Sequence, residues 1–168
     1  MPMDEPTIET SGFVSAPMEI EPQWIDHNGH LNLAYYHVLF DRGVDELFER
    51  FGIGPHRAAE SSATTFAAES HVVYRREVKP GSIVRVASQI IAFDERRIHV
   101  FQRLFHAEGW CAATLEGLIL SVDLSGPKVA PFPPDIAGRL AAVAAEHAHL
   151  PRPEDAGRAI AMRPKRAP

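Results

Sequence analysis

The chain has 168 residues, enough for one domain with a sizeable core; 45% of them are hydrophobic and 23% charged, ordinary values for a soluble globular protein. A net charge of −5, from 17 basic and 22 acidic residues, argues against the wide basic surface of a dedicated nucleic-acid binder. One cysteine, Cys111, rules out an intrachain disulfide, and no apolar run is long enough to span a bilayer. The acidic start M-P-M-D-E-P lacks the apolar core of a signal peptide, so a cytoplasmic protein is expected.

Residues 1–12 are polar and acidic and read as a flexible N-terminus. Phe13 to Glu21 reads as a first strand, which Pro17 places at a sheet edge or beside a bulge. Trp24 to Gly54 follows, and the rest of the chain is organised around it. It opens with the polar cluster Asp26, His27, Asn28, His30 and Asn32, then becomes a long amphipathic helix. Tyr36, Phe40, Val44, Leu47 and Phe51 share one helical face, and Gly52, Gly54 and Pro55 end the helix. Gly43 inside it costs roughly 1 kcal/mol relative to alanine, which close packing against a sheet or a partner helix would explain.

Pro55 to Thr65 reads as a loop. Four strands are then expected: Ala68 to Val78, Ile83 to Phe93, Arg97 to Ala107 and Trp110 to Asp123. Short turns at Lys79–Ser82, Asp94–Arg96 and Glu108–Gly109 require antiparallel pairing. In the third of these strands, Ile98, Val100 and Leu104 alternate against His99, Phe101, Arg103 and Phe105. Cys111 reads as a small buried hydrophobe of the last strand. Ser125 to Pro134 is a Pro/Gly loop, and Asp135 is expected to cap a helix over Ile136 to Ala148. Residues 151–168 form a basic, Pro/Arg-rich tail, expected to be a surface arm or disordered. The resulting domain, residues 13–150, is α+β: a curved antiparallel sheet wrapped around one long central helix. Its exposed strand edges invite a second subunit.

The polar cluster before the helix has several chemical readings. Asn28 or Asn32 can cap the helix, with the others solvated. Asp26, His27 and His30 are metal-ligand types without a recognised metal spacing, and a single Gly29 is too little for a phosphate loop. The remaining reading is acid/base or nucleophilic catalysis by Asp26 on a carbonyl held at the helix N-terminus.

The run D-H-N-G-H-L-N-L-A-Y-Y resembles the D-x-N-G-H-x-N-x-x-Y signature of hotdog-fold acyl-CoA thioesterases of the 4-hydroxybenzoyl-CoA thioesterase group. With E-S-H-V-V-Y-R-R-E-V-K-P-G and A-P-F-P-P-D-I, it is most similar to the betainyl-CoA thioesterases of carnitine breakdown. The resemblance implies a hotdog fold and hydrolysis of a small acyl-CoA, with coenzyme A as part of the substrate and no cofactor or metal. Asp26 falls where that family has its catalytic carboxylate, and His30 and Asn32 where residues shape the site. Trp24 and Leu33 depart from the D-x-D and H-V-N-N of many relatives.

Glu69 is a second catalytic candidate, since some hotdog enzymes work with a glutamate. Tyr35 lies off the apolar stripe and is expected at the pocket with Trp24; Tyr36 reads as core. Trp24, Tyr35, Phe66 and Trp110 are the aromatics available for a quaternary ammonium. Arg75, Arg76, Lys79, Arg96 and Arg97 are candidates for coenzyme A phosphates. The alternatives are a hydratase or dehydratase on the same fold and a non-catalytic acyl-CoA-binding protein. Hydratases of that fold use D-x-N-P-x-H, whereas Asp26 and His30 are four apart with no proline between them. A regulator would need an output module that this length does not hold. The resemblance also implies a homodimer or a dimer-based tetramer.

Overall fold

The computed structural model describes residues 7–162. Its strands are β1 (Phe13–Val14), β2 (Met18–Glu19), β3 (Ala63–Tyr74), β4 (Ile83–Phe93), β5 (Arg97–His106), β6 (Cys111–Asp123) and β7 (Lys128–Val129). Its α-helices are α1 (Leu33–Phe51), α2 (Pro55–Glu60) and α3 (Pro134–His147). The strands form one antiparallel sheet in the order β1-β4-β5-β6-β3, with β2 also on β4 and β7 on β6. One face of the sheet curls around α1, so this is the α+β hotdog architecture expected from the element order.

The helix is built as its sequence dictates. Tyr36, Phe40, Val44, Leu47 and Phe51 are all buried. Asn32 caps the start, its side-chain oxygen accepting from the Ala34 N–H at 3.0 Å. Gly52 ends it in the left-handed region at φ 81°, donating to Glu49 and Phe48 carbonyls. Gly43 is where the helix meets the sheet. A Cβ there would lie 2.5 Å from Val86 Cβ on β4, so only glycine fits. Beside it, buried Gln102 on β5 donates to the Phe40 carbonyl at 3.0 Å and to Ser88 Oγ at 3.2 Å. On the solvent side, burial and then the Asp41 and Glu49 charges push the Asp45 carboxyl up to about 6.

Several expected boundaries shift for physical reasons. The first strand is two short pieces, because the chain breaks at Ser15–Pro17. There Ser15 Oγ, instead of a backbone carbonyl, accepts from the Val86 N–H at 3.0 Å. Pro17 thus sits at the sheet edge, as expected. The expected loop Pro55 to Thr65 contains α2 and the start of β3. Proline at its first position favours such a turn of helix. The next strand ends at Tyr74 rather than Val78, because the Arg75 and Arg76 N–H groups both donate to the Ala112 carbonyl and turn the chain. Residues Lys128–Val129 add a short strand inside the expected 125–134 loop. Asp135 does not cap α3; Pro133 holds that position. Asp135 instead lies in the first turn, pairing with Arg57 at 3.3 Å and Arg139 at 3.4 Å.

The larger departure concerns the outer face of the sheet. Phe101, Arg103 and Phe105, which alternate against the inward Ile98, Val100 and Leu104, are all buried as well. Residues 151–157 lie against that face, and Ile160 and Met162 beyond them are exposed. Gln89, Phe101 and Glu116 stand side by side on β4, β5 and β6. Gln89 Nε2 donates to the Pro151 carbonyl at 3.2 Å, and Glu116 Oε2 accepts from the Gly157 N–H at 2.7 Å. Arg75 pairs with Asp155, and Pro153 is buried. The basic residues Arg163, Lys165 and Arg166, like residues 1–6, lie outside the described range. Within the expected flexible N-terminus, Ile8–Thr10 form a 3-10 turn and Ser11 is fully buried.

Gly43→Ala is expected to destabilise the fold by about 1–3 kcal/mol, although alanine is the better helix former. Adding Val86→Ala opens room for the new methyl and should recover part of that loss. Urea unfolding of the two variants against wild type checks both statements.

Candidate active site

The residues ahead of α1 form a small hairpin closed by an Ile25–Leu31 bridge. Asp26 N donates to the His30 carbonyl at 3.1 Å, and Gly29 N to the Asp26 carbonyl at 3.0 Å, with Gly29 at φ 77°. The hairpin is pinned at both shoulders: Leu31 N donates to the Val78 carbonyl at 2.8 Å, Asn32 N to the Trp24 carbonyl at 2.9 Å. Asp26 is therefore held by backbone on both sides. Its Oδ1 accepts from the Asn28 N–H at 2.8 Å. Among the described residues its Oδ2 accepts nothing, and the side chain is half-buried.

The donors at the helix start are fewer than the sequence suggested. Of the three N–H groups from Asn32 to Ala34, that of Asn32 goes to Trp24 and that of Ala34 to the Asn32 side chain. Tyr35 N donates to the Asn32 carbonyl at 3.0 Å. The Leu33 N–H is the one in this turn without an acceptor among the described residues. It points out of the positive end of a 19-residue helix.

Of the other expected site residues, Trp24 and Tyr35 do meet. Their rings stack at 5.5 Å and 15°. The Arg42 guanidinium lies 5.1 Å from the same indole and also pairs with Glu21 at 3.7 Å. Tyr35 and Arg42 are two helical turns apart, about 10.5 Å along the axis, so the indole fits between them. Trp24 is buried, with both faces occupied. Phe66 and Trp110 do not join this pair. Phe66 stands half-exposed on β3, eight residues before Tyr74; Trp110 is stacked by His106 at 4.3 Å and covered by Arg76 at 4.1 Å. His30 faces Glu77, Nε2 to Oε2 at 3.7 Å, and Glu77 also holds Lys79 at 2.7 Å. The Lys79 ammonium keeps the Glu77 carboxyl below the usual glutamate range.

Glu69 lies within β3, not ahead of it, at a bulge between Ala67 and Glu69, and is exposed. It stands five positions before Tyr74, roughly 17 Å along a strand, and makes no hydrogen bond or ion pair with the hairpin residues among the described residues. Two residues that the sequence did not offer for this site do reach its surroundings. Tyr74 leans edge-on against Tyr36 at 5.0 Å, with its hydroxyl 3.5 Å from the Leu33 carbonyl. Burial first, and the Glu77 and Asp26 charges after it, push the Tyr36 hydroxyl up. Tyr36 is core, as expected, but core that feels the Asp26 carboxylate. No local pattern announced Tyr74 or Glu77. They come to the site through the turn after β3, 40 residues or more along the chain.

Most candidate phosphate-binding cations are already paired. Arg75 holds Asp155, Lys79 holds Glu77, Arg96 holds Glu95 at 3.3 Å, and Arg97 holds Asp94 at 2.5 Å. Among the described residues, no three histidine, cysteine or acidic side chains gather as a metal site would require. No helix among them is long and apolar enough to cross a membrane.

Residues 20–140 match the family model of the thioesterase-like superfamily. The chain is 36% identical over 146 residues to the betainyl-CoA thioesterase of Pseudomonas aeruginosa, covering 86% of this chain and 92% of that protein. It is 31% identical to the L-carnitine dehydrogenase/betainyl-CoA thioesterase of Rhizobium meliloti, of which it covers 29%. Among solved structures, a putative thioesterase of Pseudomonas putida superposes with a TM-score of 0.79 at 31% identity, over 91% of this chain and 98% of that one. A Staphylococcus aureus protein solved in complex with CoA superposes with a TM-score of 0.83 at 24% identity, over 90% of this chain and 95% of that one, a likeness of fold. The hairpin-capped helix, the sheet around it and these matches agree: the chain belongs to the thioesterase-like superfamily and is a thioester hydrolase of the hotdog fold.

Proposed function

We propose that this protein hydrolyses a small acyl-CoA, betainyl-CoA first among them, with Asp26 as its working carboxylate. The observation that carries the site reading is that the hairpin ahead of α1 leaves Asp26 Oδ2, and the first turn of α1 leaves the Leu33 N–H, without a partner among the described residues. A thioester needs little else. Its thiolate leaves readily near neutral pH, so no strong leaving-group acid is required. The Leu33 N–H and the helix end polarise the carbonyl oxygen and take up its developing charge. Asp26 either adds to the carbonyl carbon, giving an anhydride that water opens, or takes a proton from the water that adds. In both routes the C–S bond breaks, the sulfur leaves with its electron pair, and one water supplies the acid's new oxygen.

The names of the relatives support betainyl-CoA, and the aromatic side chains refine how it would be held. With Tyr35 on one face of Trp24 and the Arg42 cation on the other, the indole has no face left for a trimethylammonium. Tyr35 and the half-exposed Tyr74 remain, with Glu77 as counter-charge. Arg76, stacked on Trp110 and outside every ion pair among the described residues, is the cation we assign to a coenzyme A phosphate.

The reading includes an assembly. β3 is a 12-residue strand paired on one side only, with Phe66 and Tyr74 49% and 46% exposed. Pairing of two such edges makes a homodimer, or a tetramer built from it, and can carry Glu69 toward the other subunit's Asp26.

Asp26→Asn is expected to keep the fold by circular dichroism and to lose at least ~100-fold in kcat. A folded variant with near-full kcat would hand the role to Glu69. On substrates, kcat/KM should favour betainyl-CoA over the neutral isostere 3,3-dimethylbutyryl-CoA by roughly tenfold or more. Equal values, or a preference for medium-chain or aromatic acyl groups, would remove the substrate and leave the hydrolase. Sedimentation at working concentration should give a dimer or tetramer mass; a monomer of full specific activity on dilution contradicts the assembly.

A further inference from the structure

At the far end of α1 from Asp26, a cavity of about 560 Å³ opens between the end of β4 and the outward face of α3. Its volume is that of an ordinary small-molecule site. β1 pairs with β4 only at Ala87 and Ser88, so the edge of β4 beyond Ser88 is left for α3 to cover. Besides the apolar packing of Ile136, Leu140 and Val143 near Ile90, one side chain of α3 bonds this edge. His147, 5% exposed, accepts at Nδ1 from the Ile90 N–H at 3.0 Å.

That bond fixes the ring's chemistry. A nitrogen that accepts from an N–H carries no proton, so the neutral imidazole bears its hydrogen on Nε2. Burial favours that neutral form. Nε2 has no partner among the described residues, yet no side-chain nitrogen or oxygen among them is sealed off without a hydrogen bond. The Nε2–H therefore opens onto the cavity that His147 lines. Most of the other lining residues are apolar, Ala141, Ala144, Ala145 and Phe93 among them; Gln89 is the polar one, its Nε2 given to the Pro151 carbonyl. Arg152 stands in the same lining and forms no ion pair among the described residues. Arg50, the nearest cation on α1, is spent on Glu146, at 2.8 Å.

We propose that this cavity is a second binding site, for an aliphatic monocarboxylate whose alkyl chain lies on the α3 alanines and Phe93 and whose carboxylate accepts from His147 Nε2–H and Arg152. An open donor on a buried ring and a cation without an ion pair among the described residues, at one largely apolar trough, ask for a ligand with an acceptor and a negative charge at one end. The trough does not overlap the reaction site. Asp26 precedes the first turn of α1 and His147 sits beside its last, about 28 Å away along a 19-residue helix. It is also remote from β3, which is three places along the sheet from β4.

The experiment uses the full chain, octanoate as probe and octanol as its uncharged counterpart. Amide and methyl shifts on titration should map to Ala141, Ala145 and Phe93 and saturate with octanoate. Arg152→Gln should weaken octanoate about tenfold and leave octanol unchanged. Ala145→Trp, which fills the trough from an exposed position, should abolish octanoate binding and leave thioester hydrolysis at its wild-type rate. His147→Gln serves as a third variant only if its circular dichroism is native. Octanol binding as tightly as octanoate, octanoate binding that survives Ala145→Trp, displacement of octanoate by coenzyme A, or no saturable shift at millimolar octanoate would each overturn the proposal.

Discussion

The structure depends on how closely α1 lies on β4. With Gly43 against Val86, the helix backbone approaches the sheet to a distance no other residue permits. Gln102, buried on the concave face, then reaches the Phe40 carbonyl and fixes the helix along its own axis. Distance and axial position together decide everything at the two ends. At one end the Asp26 hairpin is hung between Val78 and Trp24; at the other, α3 packs Ile136, Leu140 and Val143 against Phe48 and Phe51. A helix displaced by one methyl would move both ends at once, because protein interiors close-pack and transmit such strain.

The same constraint explains what the sequence let one read. The helix, its cap at Asn32, its stop at Gly52 and the core stripe from Tyr36 to Phe51 were legible, since each rests on residues within a few turns of one another. The antiparallel order of β3 to β6 followed from short turns. The cover of the outer face did not. Pro151, Asp155 and Gly157 hold to Gln89, Arg75 and Glu116 through isolated contacts of long sequence separation, which no periodicity announces. That is why β5 alternates like a half-solvated strand and yet is buried on both faces. At the candidate site the polar hairpin was visible and its electrostatic neighbours Tyr74 and Glu77 were not, for the same reason.

Placing the aromatics sharpens the chemistry. Four aromatic side chains looked interchangeable in the sequence, but each has a different state. Trp24 is a spacer between Tyr35 and Arg42, Trp110 a platform for Arg76, Phe66 an exposed edge residue, and Tyr35 a half-buried ring stacked on Trp24. A cation bound by Trp24 would have to displace Arg42, trading one cation–π contact for another with little gain. The proposed selectivity for a charged acyl group is accordingly assigned to Tyr35, Tyr74 and the carboxylate of Glu77.

The two ends of α1 also differ in what their free groups can do. At the N-terminus, the hairpin uses up almost every donor of the first turn and leaves the Leu33 N–H and Asp26 Oδ2 without partners among the described residues. A donor and an acceptor left open together suit a carbonyl that gains negative charge while a nucleophile approaches. At the C-terminus the nearest carboxylates are taken up: Glu49 is bonded to His56 and Glu146 to Arg50. What stays open there is a donor, His147 Nε2–H, and a cation, Arg152, over an apolar floor. Two donors without a nucleophile hold an anion and do nothing to it. On the two proposals together, reaction and binding would be separated by the length of one helix, through which polar atoms the local turns leave unspent.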